Sequence, residues 1–543
     1  MPLETSYKQD LKGHLVILTI PAWGVLRPLC GVACRAVEEC PDIVVTFMIL
    51  GGWDKRIAAE CDRYNRSNDD KETRSRLRLV NIGGQGFDIP DLMSVAFKSF
   101  PDCYRKLVLC ESIRSMSTRD HIPQTIRPTA VIIDYNYFPI LQSVREITGK
   151  NVPVWNWWSS GSYLPLRVWG PERYGGMGNV PDKARTLAEA TGRDVDEVTN
   201  EMTNMKRGEV VVLPGLPDFY DYEWYPYPDD LQKDLPISFY EVFKNGKEFM
   251  KECDAYIYNT SSAYEPQAID ATRRWLEESG SQKLYTIGPV FPWSGTNFES
   301  PKHGLMATGD EVPENGSDST PVRAFMDKIL ASHGENSLLY LSFGSIWWPG
   351  SDYIRLYVEI LLENKIPFIF AIASPQADLP TELIEKVSAS EIAMLSKWCP
   401  QQMILSHPVT GWFLTHCGHN SVLEALSRGV PMIAWPLMFD QPGNAAHISL
   451  SLDVAFQLIQ VRTGKEGLKP LHRTGTPPVG DCESVAVEAR DILRRMKGAE
   501  GDRKRKNAEG VRDKLGRARK GAGDGQEDFK RLLRDATKEQ LHQ

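Results

Sequence analysis

The sequence predicts an α/β protein with two doubly wound domains that face each other across a cleft. Apolar runs of strand length alternate with helical segments in both halves of the chain, as expected for parallel sheets. With 543 residues, the chain is too long for a single hydrophobic core. A stretch rich in Gly, Ser, Pro, Asn and acidic residues separates the two halves. We therefore expect an N-terminal domain at 1–295, a linker at 296–321, a C-terminal domain at 322–498 and a charged tail at 499–543.

The N-terminal half opens in the order strand, turn, helix, strand. Residues 14–21 (HLVILTIP) form the first apolar run, and a helix is expected to begin near Pro28. No G-x-G-x-x-G follows this strand, which argues against an oxidoreductase that binds a dinucleotide. The glycine-rich residues 83–86 are interpreted as a loop, because no helix is expected after them. A further buried strand at 130–133 ends at Asp134.

Composition excludes several classes of partner. The net charge of -8 gives no general attraction to nucleic acid or to an anionic membrane. The polar N-terminus lacks the pattern of a signal peptide, and no apolar run approaches the ~20 residues of a membrane helix. The ten cysteines lack C-x-x-C pairs and are interpreted as reduced thiols. We expect a cytoplasmic monomer without an integral membrane segment.

The end of the chain differs from the rest in composition. From Lys497 onward it is rich in Gly, Lys and Arg and has few apolar residues. This pattern predicts a solvated helix with frayed ends, interrupted by the glycines at 521–525.

The stretch Trp398–Gln441 carries the predicted binding chemistry. An apolar run at 411–415 reads as a buried strand, 416–418 as a tight turn, and 420–428 as a helix stopped by Gly429. A second buried strand at 432–435 leads into the loop that holds the last two residues of the stretch. Polar groups therefore gather past the carboxyl ends of parallel strands, where open α/β sheets bind ligands.

The turn suits a diphosphate. Gly418 lets the backbone approach closely, and the amides of Asn420 and Ser421 lie at a helix N-terminus, where N–H groups and the helix dipole favour anions. His416 adds a further donor. Glu424 lies one turn after Asn420, on the same helix face, where its carboxylate suits ribose hydroxyls.

Residues on either side of the turn complete a nucleotide-sugar site. Trp398 offers a flat face to a base, and Gln401 lies one turn further on. Asp440 and Gln441 suit the hydroxyl groups of a sugar.

This stretch resembles the signature box of the family 1 UDP-glycosyltransferases, best known from plant secondary-product enzymes, and equals it in length. The resemblance implies the GT-B fold. It implies that Trp398 stacks on uracil and that Glu424 binds the ribose. It also implies that Asp440 and Gln441 hold the sugar. The diphosphate would be held by His416, Asn420, Ser421 and, from the Ser342–Ser345 segment, Ser345. Cys399, Gln401 and Gly418 belong to the same UDP-sugar site. His419 departs from the pattern, because plant members usually carry Trp there.

The largest departure concerns the catalytic base. The family pattern after the first strand is Gly-His-x-x-Pro, whereas this chain reads Gly24-Val25-Leu26-Arg27-Pro28. Val25 stands at the His position and cannot accept a proton. In the family, an Asp at the position of Asp134 pairs with that His. Asp134 is therefore the remaining catalytic candidate, and the alternative is that the acceptor supplies its own acidity.

Two other patterns leave alternatives open. The aromatic residues Trp155, Trp157, Trp158, Tyr163 and Trp169 either fill the core or line a pocket for a flat or bulky apolar acceptor. Residues 194–196 spell D-x-D, a metal–nucleotide signature in other glycosyltransferases, but no strand precedes them. No metal site is therefore expected.

Together these features predict transfer of a sugar from UDP to a small, apolar or aromatic acceptor. The resemblance implies inversion at the anomeric carbon without a metal, and a UDP-sugar as co-substrate rather than a bound cofactor. Glucose is the expected sugar, because the family tends to carry His at the position of Gln441 when galactose is preferred. The alternative is a catalytically weakened homologue that still binds a UDP-sugar or a small ligand. A nucleotide-sugar epimerase is disfavoured by the box.

Overall fold

The computed structural model describes residues 11–65, 71–203, 206–228, 239–280, 282–291, 320–344, 348–374, 376–397 and 399–537. The first half of the chain is built on a parallel sheet whose central strands are buried on both faces. The strands of this half are β1 (Gly13–Ile17), β2 (Ile43–Ile49), β3 (Leu77–Asn81), β4 (Ile113–Arg114), β5 (His121–Ile122), β6 (Ala130–Asp134), β7 (Val154–Trp158), β8 (Val210–Val211), β9 (Phe219–Tyr220), β10 (Ala255–Tyr258) and β11 (Lys283–Thr286).

Seven of these strands pair in the order β11-β10-β7-β6-β1-β2-β3, and β4–β5 and β8–β9 form two small antiparallel pairs. The helices of this half are α1 (Trp23–Glu39), α2 (Asp54–Asn65), α3 (Lys71–Ser75), α4 (Ile89–Val108), α5 (Phe138–Thr148), α6 (Tyr163–Trp169), α7 (Val180–Thr191), α8 (Val195–Thr203), α9 (Phe239–Glu252) and α10 (Pro266–Gly280). Helices on both faces explain why β2 is buried along its whole length and mostly apolar, with Thr46 as its one polar residue, rather than alternating.

The second half repeats the architecture on a six-stranded parallel sheet. Its elements are α11 (Thr320–His333), β12 (Leu338–Ser342), α12 (Ser351–Glu363), β13 (Phe368–Ala371), α13 (Thr381–Ser388), β14 (Ala393–Ser396), α14 (Gln401–Ser406), β15 (Thr410–Thr415), α15 (His419–Arg428), β16 (Met432–Ala434), α16 (Gln441–Ala446), β17 (Ala455–Gln457), α17 (Gly464–Gly467) and α18 (Cys482–Met496). The strand order is β14-β13-β12-β15-β16-β17.

Each sheet reverses its strand order at one point, and residues of the predicted site follow strands at both reversals. In the first sheet β1 pairs with β6, with Leu15 opposite Ala130. In the second, β12 pairs with β15, with Ser342 opposite Thr415. Crevices beyond the carboxyl ends of such strand pairs are where doubly wound sheets bind ligands.

Two local expectations about helices are wrong. Helix α1 begins at Trp23 rather than near Pro28, and Pro28 lies inside it. Helix α4 directly follows the loop at 83–86, although no helix was expected there. Asp88 caps α4 by accepting a hydrogen bond from the Asp91 N–H, and Pro90 lies in its first turn. This is a regular start signal for a helix.

The expectation of a solvated tail is also wrong. The tail forms two ordered helices, α19 (Ala499–Ala518) and α20 (Asp524–Thr537), separated by the glycine-containing break that the sequence predicts. Helix α20 returns to the first domain, where Phe529, Leu532 and Leu533 join its core. The apolar residues are few but lie on one face of α20, so that face is buried while the charged face stays in solvent.

The expected linker falls mostly on residues 292–319, which lie outside the described part of the chain, and the domain limits remain predictions. The described helices include none that is long and apolar enough to cross a bilayer. The D-x-D pattern forms a helix start: Asp194 Oδ1 accepts hydrogen bonds from the Asp196 and Glu197 N–H groups ahead of α8.

The docking of α20 can be tested by truncating one side chain. Phe529 is fully buried, and the Arg35 guanidinium lies 3.9 Å from its ring centroid. Phe529→Ala should lower the free energy of unfolding by about 3–5 kcal/mol, because it leaves a cavity between α20 and the first sheet. The neighbouring exposed Lys530→Ala is the matched control and should change it by less than about 0.5 kcal/mol. Urea unfolding measures both, and equal effects would contradict the docked helix.

Candidate active site

The turn between β15 and α15 is shaped by close approach of the backbone. Cys417 adopts a positive φ of 68°, an uncommon conformation for a residue other than glycine. A Cβ atom on Gly418 would lie 2.5 Å from His416 Nε2, and one on Gly344, after β12, would lie 2.9 Å from it. The imidazole of His416 is therefore held between two glycines at the reversal point of the second sheet.

The environment of His416 favours its neutral form. Its side chain is partly exposed, but desolvation by the surrounding protein disfavours the charged imidazolium and lowers the pKa of His416 to about 4. Its Nδ1 atom has no hydrogen-bond partner among the described residues. A neutral imidazole can still donate one N–H hydrogen bond to an anion.

The N-terminus of α15 faces the same crevice. Gly418 is its N-cap and has no side chain that could accept from the first amides of the helix. The His419 N–H donates to Asp440 Oδ2 at 3.2 Å, while no side chain among the described residues accepts from the amides of Asn420 and Ser421. These amides and the helix dipole make a local centre of positive potential.

Glu424 lies one turn further along α15 in a polar network. Gln401 Nε2 donates to Glu424 Oε2 at 2.6 Å and to Ser421 Oγ at 3.3 Å. The hydroxyl of Tyr340, on β12, donates to Gln401 Oε1 at 3.4 Å. The structure thus brings together three of the residues that the sequence places at the nucleotide.

A fourth member of this network comes from the first domain. Arg27 Nη1 lies 2.7 Å from Glu424 Oε1, and Arg27 Nε lies 3.1 Å from Glu60 Oε1. Both carboxylates are buried. The sequence analysis missed Arg27 and Glu60, because Arg27 occupies a variable position of the Gly-His-x-x-Pro pattern and contacts a residue far along the chain.

A second link between the domains involves Asn420. Its Nδ2 donates to the Gly24 carbonyl at 2.5 Å, and its Oδ1 accepts from Asn259 Nδ2 at 2.8 Å. Within α1 the Gly24 carbonyl would normally accept from the N–H four residues later, but that residue is Pro28, which has none. Pro28 therefore leaves this carbonyl available to the other domain.

The residues predicted to hold the sugar lie beside the helix start. Asp440 accepts from the His419 N–H and from Asn444 Nδ2 at 2.8 Å, and desolvation raises its pKa to about 6. Gln441 is buried, and its Oε1 accepts from the N–H groups of Leu437 and Met438. This leaves the Gln441 amide nitrogen as the part that can face a sugar.

His419, which replaces the usual Trp, turns toward the first domain. Its Nε2 donates to the Asn259 carbonyl at 2.8 Å, and burial lowers its pKa to about 4. A Cβ atom on Gly161 would lie 3.2 Å from His419 Cε1 and 2.9 Å from Glu265 Oε2. Glu265 is fully buried, and desolvation raises its pKa to about 7. The sequence analysis missed Glu265; only its place just beyond β10 could have signalled it.

Asp134, the remaining catalytic candidate, accepts its hydrogen bonds from residues of the first domain. Its Oδ2 accepts from Thr19 Oγ1 at 2.8 Å and from the Ile20 N–H at 3.0 Å, and its Oδ1 accepts from the Asn136 N–H at 2.8 Å. Burial raises its pKa. Val25 packs its partly exposed side chain against the core nearby. Thr19 is thus a side-chain hydrogen-bond donor to Asp134.

Some predicted residues fall outside this description. Trp398 and Ser345 lie outside the described residues. Cys399 is buried. Of the aromatic residues, Trp155, Trp157, Trp158 and Tyr163 are buried in the hydrophobic cores, and Trp169 is partly exposed.

Comparison with known proteins places this arrangement in a family. A sequence model described as UDP-glucoronosyl and UDP-glucosyl transferase matches residues 294–465. UDP-glycosyltransferase 85A1 of Arabidopsis thaliana is 30% identical over 466 residues, covering 82% of this chain and 84% of that protein. UDP-glycosyltransferase eriJ of Hericium erinaceus is 27% identical over 493 residues, covering 88% of this chain and 90% of that protein.

Two solved structures share the fold over nearly the whole chain. Phytolacca americana UGT2, complexed with UDP-2fluoro-glucose and pterostilbene, has a TM-score of 0.65 at 18% identity and covers 97% of this chain and 100% of that one. Medicago truncatula UGT71G1, complexed with UDP-glucose, has a TM-score of 0.66 at 16% identity and covers 97% and 99%. The two parallel-sheet domains define a GT-B protein. The chain belongs to the UDP-glucoronosyl and UDP-glucosyl transferase family and is an enzyme that transfers a sugar from a UDP-sugar.

The buried histidines between the domains predict an acid-sensitive interface. His447 Nε2 donates to the Tyr264 carbonyl at 2.8 Å, so its Nδ1 accepts from the Tyr163 hydroxyl at 3.1 Å, and burial lowers its pKa to about 4. A depressed pKa means that the stabilisation is complete above about pH 6.5 and is lost as the pH falls through 4. The free energy of unfolding should therefore fall over this range, by up to about 1.4 kcal/mol per pH unit for each such histidine.

His447→Gln should flatten this pH dependence, whereas the exposed His472→Gln is the matched control and should leave it unchanged. Denaturant unfolding at pH 7, 6, 5 and 4.5 measures the slopes. Parallel curves for wild type and His447→Gln would show that the buried imidazole is not responsible.

Proposed function

We propose that this enzyme transfers a hexose, with glucose as the first candidate, from UDP to a small apolar or aromatic acceptor. One observation carries the proposal: at the N-terminus of α15 no described side chain accepts from the amides of Asn420 and Ser421, and this helix start lies between His416 and two carboxylates, Glu424 and Asp440. An anion site flanked by hydroxyl acceptors matches a diphosphate between a ribose and a sugar. The domain limits and site residues predicted from the sequence form part of this proposal.

The chemistry of the site favours a single displacement. The acceptor atom forms a bond to the anomeric carbon while the bond from that carbon to the UDP oxygen breaks, which inverts the configuration. Negative charge grows on the departing UDP, where the amides of Asn420 and Ser421 and the His416 N–H would stabilise it. Because these donors already lie at the diphosphate position, the mechanism requires no metal.

The related proteins support the donor and acceptor classes. Phytolacca americana UGT2 binds a UDP-fluoroglucose together with pterostilbene, and Medicago truncatula UGT71G1 binds UDP-glucose. A Zea mays relative, 32% identical over 199 residues, is named indole-3-acetate beta-glucosyltransferase. A carboxylic acid, phenol or thiol acceptor also fits the missing base, because such groups lose their proton with little help.

Asp134 is proposed to act within this scheme on the acceptor side of the cleft. Its three hydrogen bonds hold it at the carboxyl end of β6. A carboxylate is a weak base for an alcohol even when burial raises its pKa. The enzyme should therefore prefer acidic acceptors to aliphatic alcohols.

Val25 also supports a second candidate, a homologue that binds a UDP-sugar without transferring it. A UDP-release assay with chelator present, across carboxylic acid, phenol and alcohol acceptors, separates the two. The proposed function predicts acceptor-dependent release from UDP-glucose, with tighter calorimetric binding of UDP-glucose than of TDP-glucose. Binding without release on any acceptor would favour the second candidate, and dependence on Mg²⁺ would contradict the metal-free mechanism.

His416 should act mainly in the transition state. His416→Ala should lower kcat by about 10²-fold, because one donor to the departing diphosphate is lost. UDP affinity should fall much less, because the ground-state charge is smaller. His407→Ala is the control, because His407 follows α14 and pairs with Asp327 of α11; it should leave kcat unchanged. Unchanged turnover and unchanged UDP binding in His416→Ala would remove His416 from the site.

Val25→His tests the missing base. The new imidazole should raise the rate on alcohols more than on carboxylic acids, because only alcohols need proton abstraction. The gain should depend on Asp134, as a carboxylate orients the imidazole in a Ser–His–Asp triad. A double-mutant cycle with Asp134→Asn across both acceptor types measures this coupling. Equal gains on every acceptor, or gains indifferent to Asp134, would show that Val25 is not at the base position.

A further inference from the structure

We propose that Arg27, a residue of the first domain, is a positioning residue for the nucleotide. It fixes the Glu424 carboxylate in the orientation that receives the ribose hydroxyls, so the acceptor-side domain takes part in recognising UDP. This inference rests on the proposed function, because it takes Glu424 as the carboxylate at the ribose.

The orientation of Glu424 is determined from two sides. Arg27 Nη1 contacts Oε1 at 2.7 Å, and Gln401 Nε2 donates to Oε2 at 2.6 Å. A donor to each oxygen constrains the plane of the carboxylate. A carboxylate has about four acceptor positions, so hydroxyl groups can share these oxygens with the protein donors.

Arg27 is itself held by its own domain before it reaches across the cleft. Its Nε lies 3.1 Å from Glu60 Oε1, and Glu60 Oε2 lies 2.6 Å from Arg63 Nη1. Glu60 is fully buried, and the Arg27 side chain is only 13% exposed. The guanidinium therefore arrives at Glu424 in a fixed direction instead of sampling many rotamers.

The chemistry explains why an arginine stands here. Burying the Glu424 carboxylate without a cation would be costly, and the Arg27 guanidinium offsets that cost. A guanidinium presents N–H groups in a planar fork, so Nε and Nη1 can serve two carboxylates at once. A lysine ammonium is a single point charge and would engage one carboxylate less rigidly.

The consequence is a coupling between domain approach and nucleotide binding. Glu424 belongs to α15 in the second domain and Arg27 to α1 in the first, so the contact exists only when the domains are together. Ribose recognition by Glu424 should therefore depend on a residue that the nucleotide itself need not touch.

The test compares UDP with 2′-deoxy-UDP, because a positioning effect on Glu424 acts through the ribose hydroxyl. Calorimetry on the full chain should give wild type a preference for UDP of about tenfold or more, the usual worth of a hydrogen bond to a charged group. Arg27→Met should reduce that preference to about twofold or less. Arg27→Lys should restore part of it.

The matched control is Arg35→Met on the same helix. Arg35 pairs with Glu39 and Gln526, away from the cleft. This variant loses a buried guanidinium from α1 but should keep the full UDP preference. A double-mutant cycle between Arg27→Met and Glu424→Gln should show that the two effects on the preference are not additive.

Equal weakening of UDP and 2′-deoxy-UDP in Arg27→Met, with the preference intact, would overturn the inference, as would the same loss in Arg35→Met. Should Arg27→Met fail to fold, Glu60→Gln decides instead, because it frees Arg27 while leaving its charge: a reduced preference supports the inference and an unchanged one overturns it. Absence of UDP binding in the unmodified chain would overturn the proposed function as well, so the two failures are distinguishable.

Discussion

Pro28 has no N–H, so the Gly24 carbonyl of α1 lacks its usual helical donor and can accept a hydrogen bond from the second domain. The Asn420 side chain of the second domain donates to this carbonyl at 2.5 Å. Arg27, the residue before the proline, reaches Glu424 from the same helix turn. The turn of α1 that contains Pro28 thus makes two polar contacts with α15 of the second domain, one through a backbone carbonyl and one through the Arg27 guanidinium.

The contact between the two domains carries a desolvation cost. It places charged and polar groups, including Arg27, Glu60 and Glu424, where little water remains to solvate them. Breaking one such pair typically costs several kcal/mol, because it leaves an unpaired buried charge. A nucleotide that donates hydrogen bonds to these buried groups would reduce their desolvation cost. Nucleotide binding and domain closure are therefore expected to reinforce each other.

The strand–turn–helix–strand unit of the second domain could be predicted from the sequence, because its strands are short apolar runs followed by polar turns. The β15–turn–α15 unit differs from its predicted bounds by one residue at each start. The contacts between domains could not be predicted, since Arg27 and Glu424 are 397 residues apart and no local pattern pairs them. The docking of helix α20 was missed for a related reason: only its packing on the first sheet shows that four buried residues, Phe529, Leu532, Leu533 and Ala536, suffice to dock it. The hydrogen bond from Thr19 to Asp134 likewise arises from strand pairing, which sequence periodicity does not specify.

The central claim is that UDP binds where the two domains meet, at the start of α15 and opposite the start of α1. Hydrogen–deuterium exchange of the full chain with and without UDP tests it most directly, because it reports backbone protection in both domains at once. The account predicts added protection over 415–424 and, in the first domain, over 23–29. Protection confined to the second domain, or located at the outer helices of either sheet, would contradict a nucleotide site built by both domains.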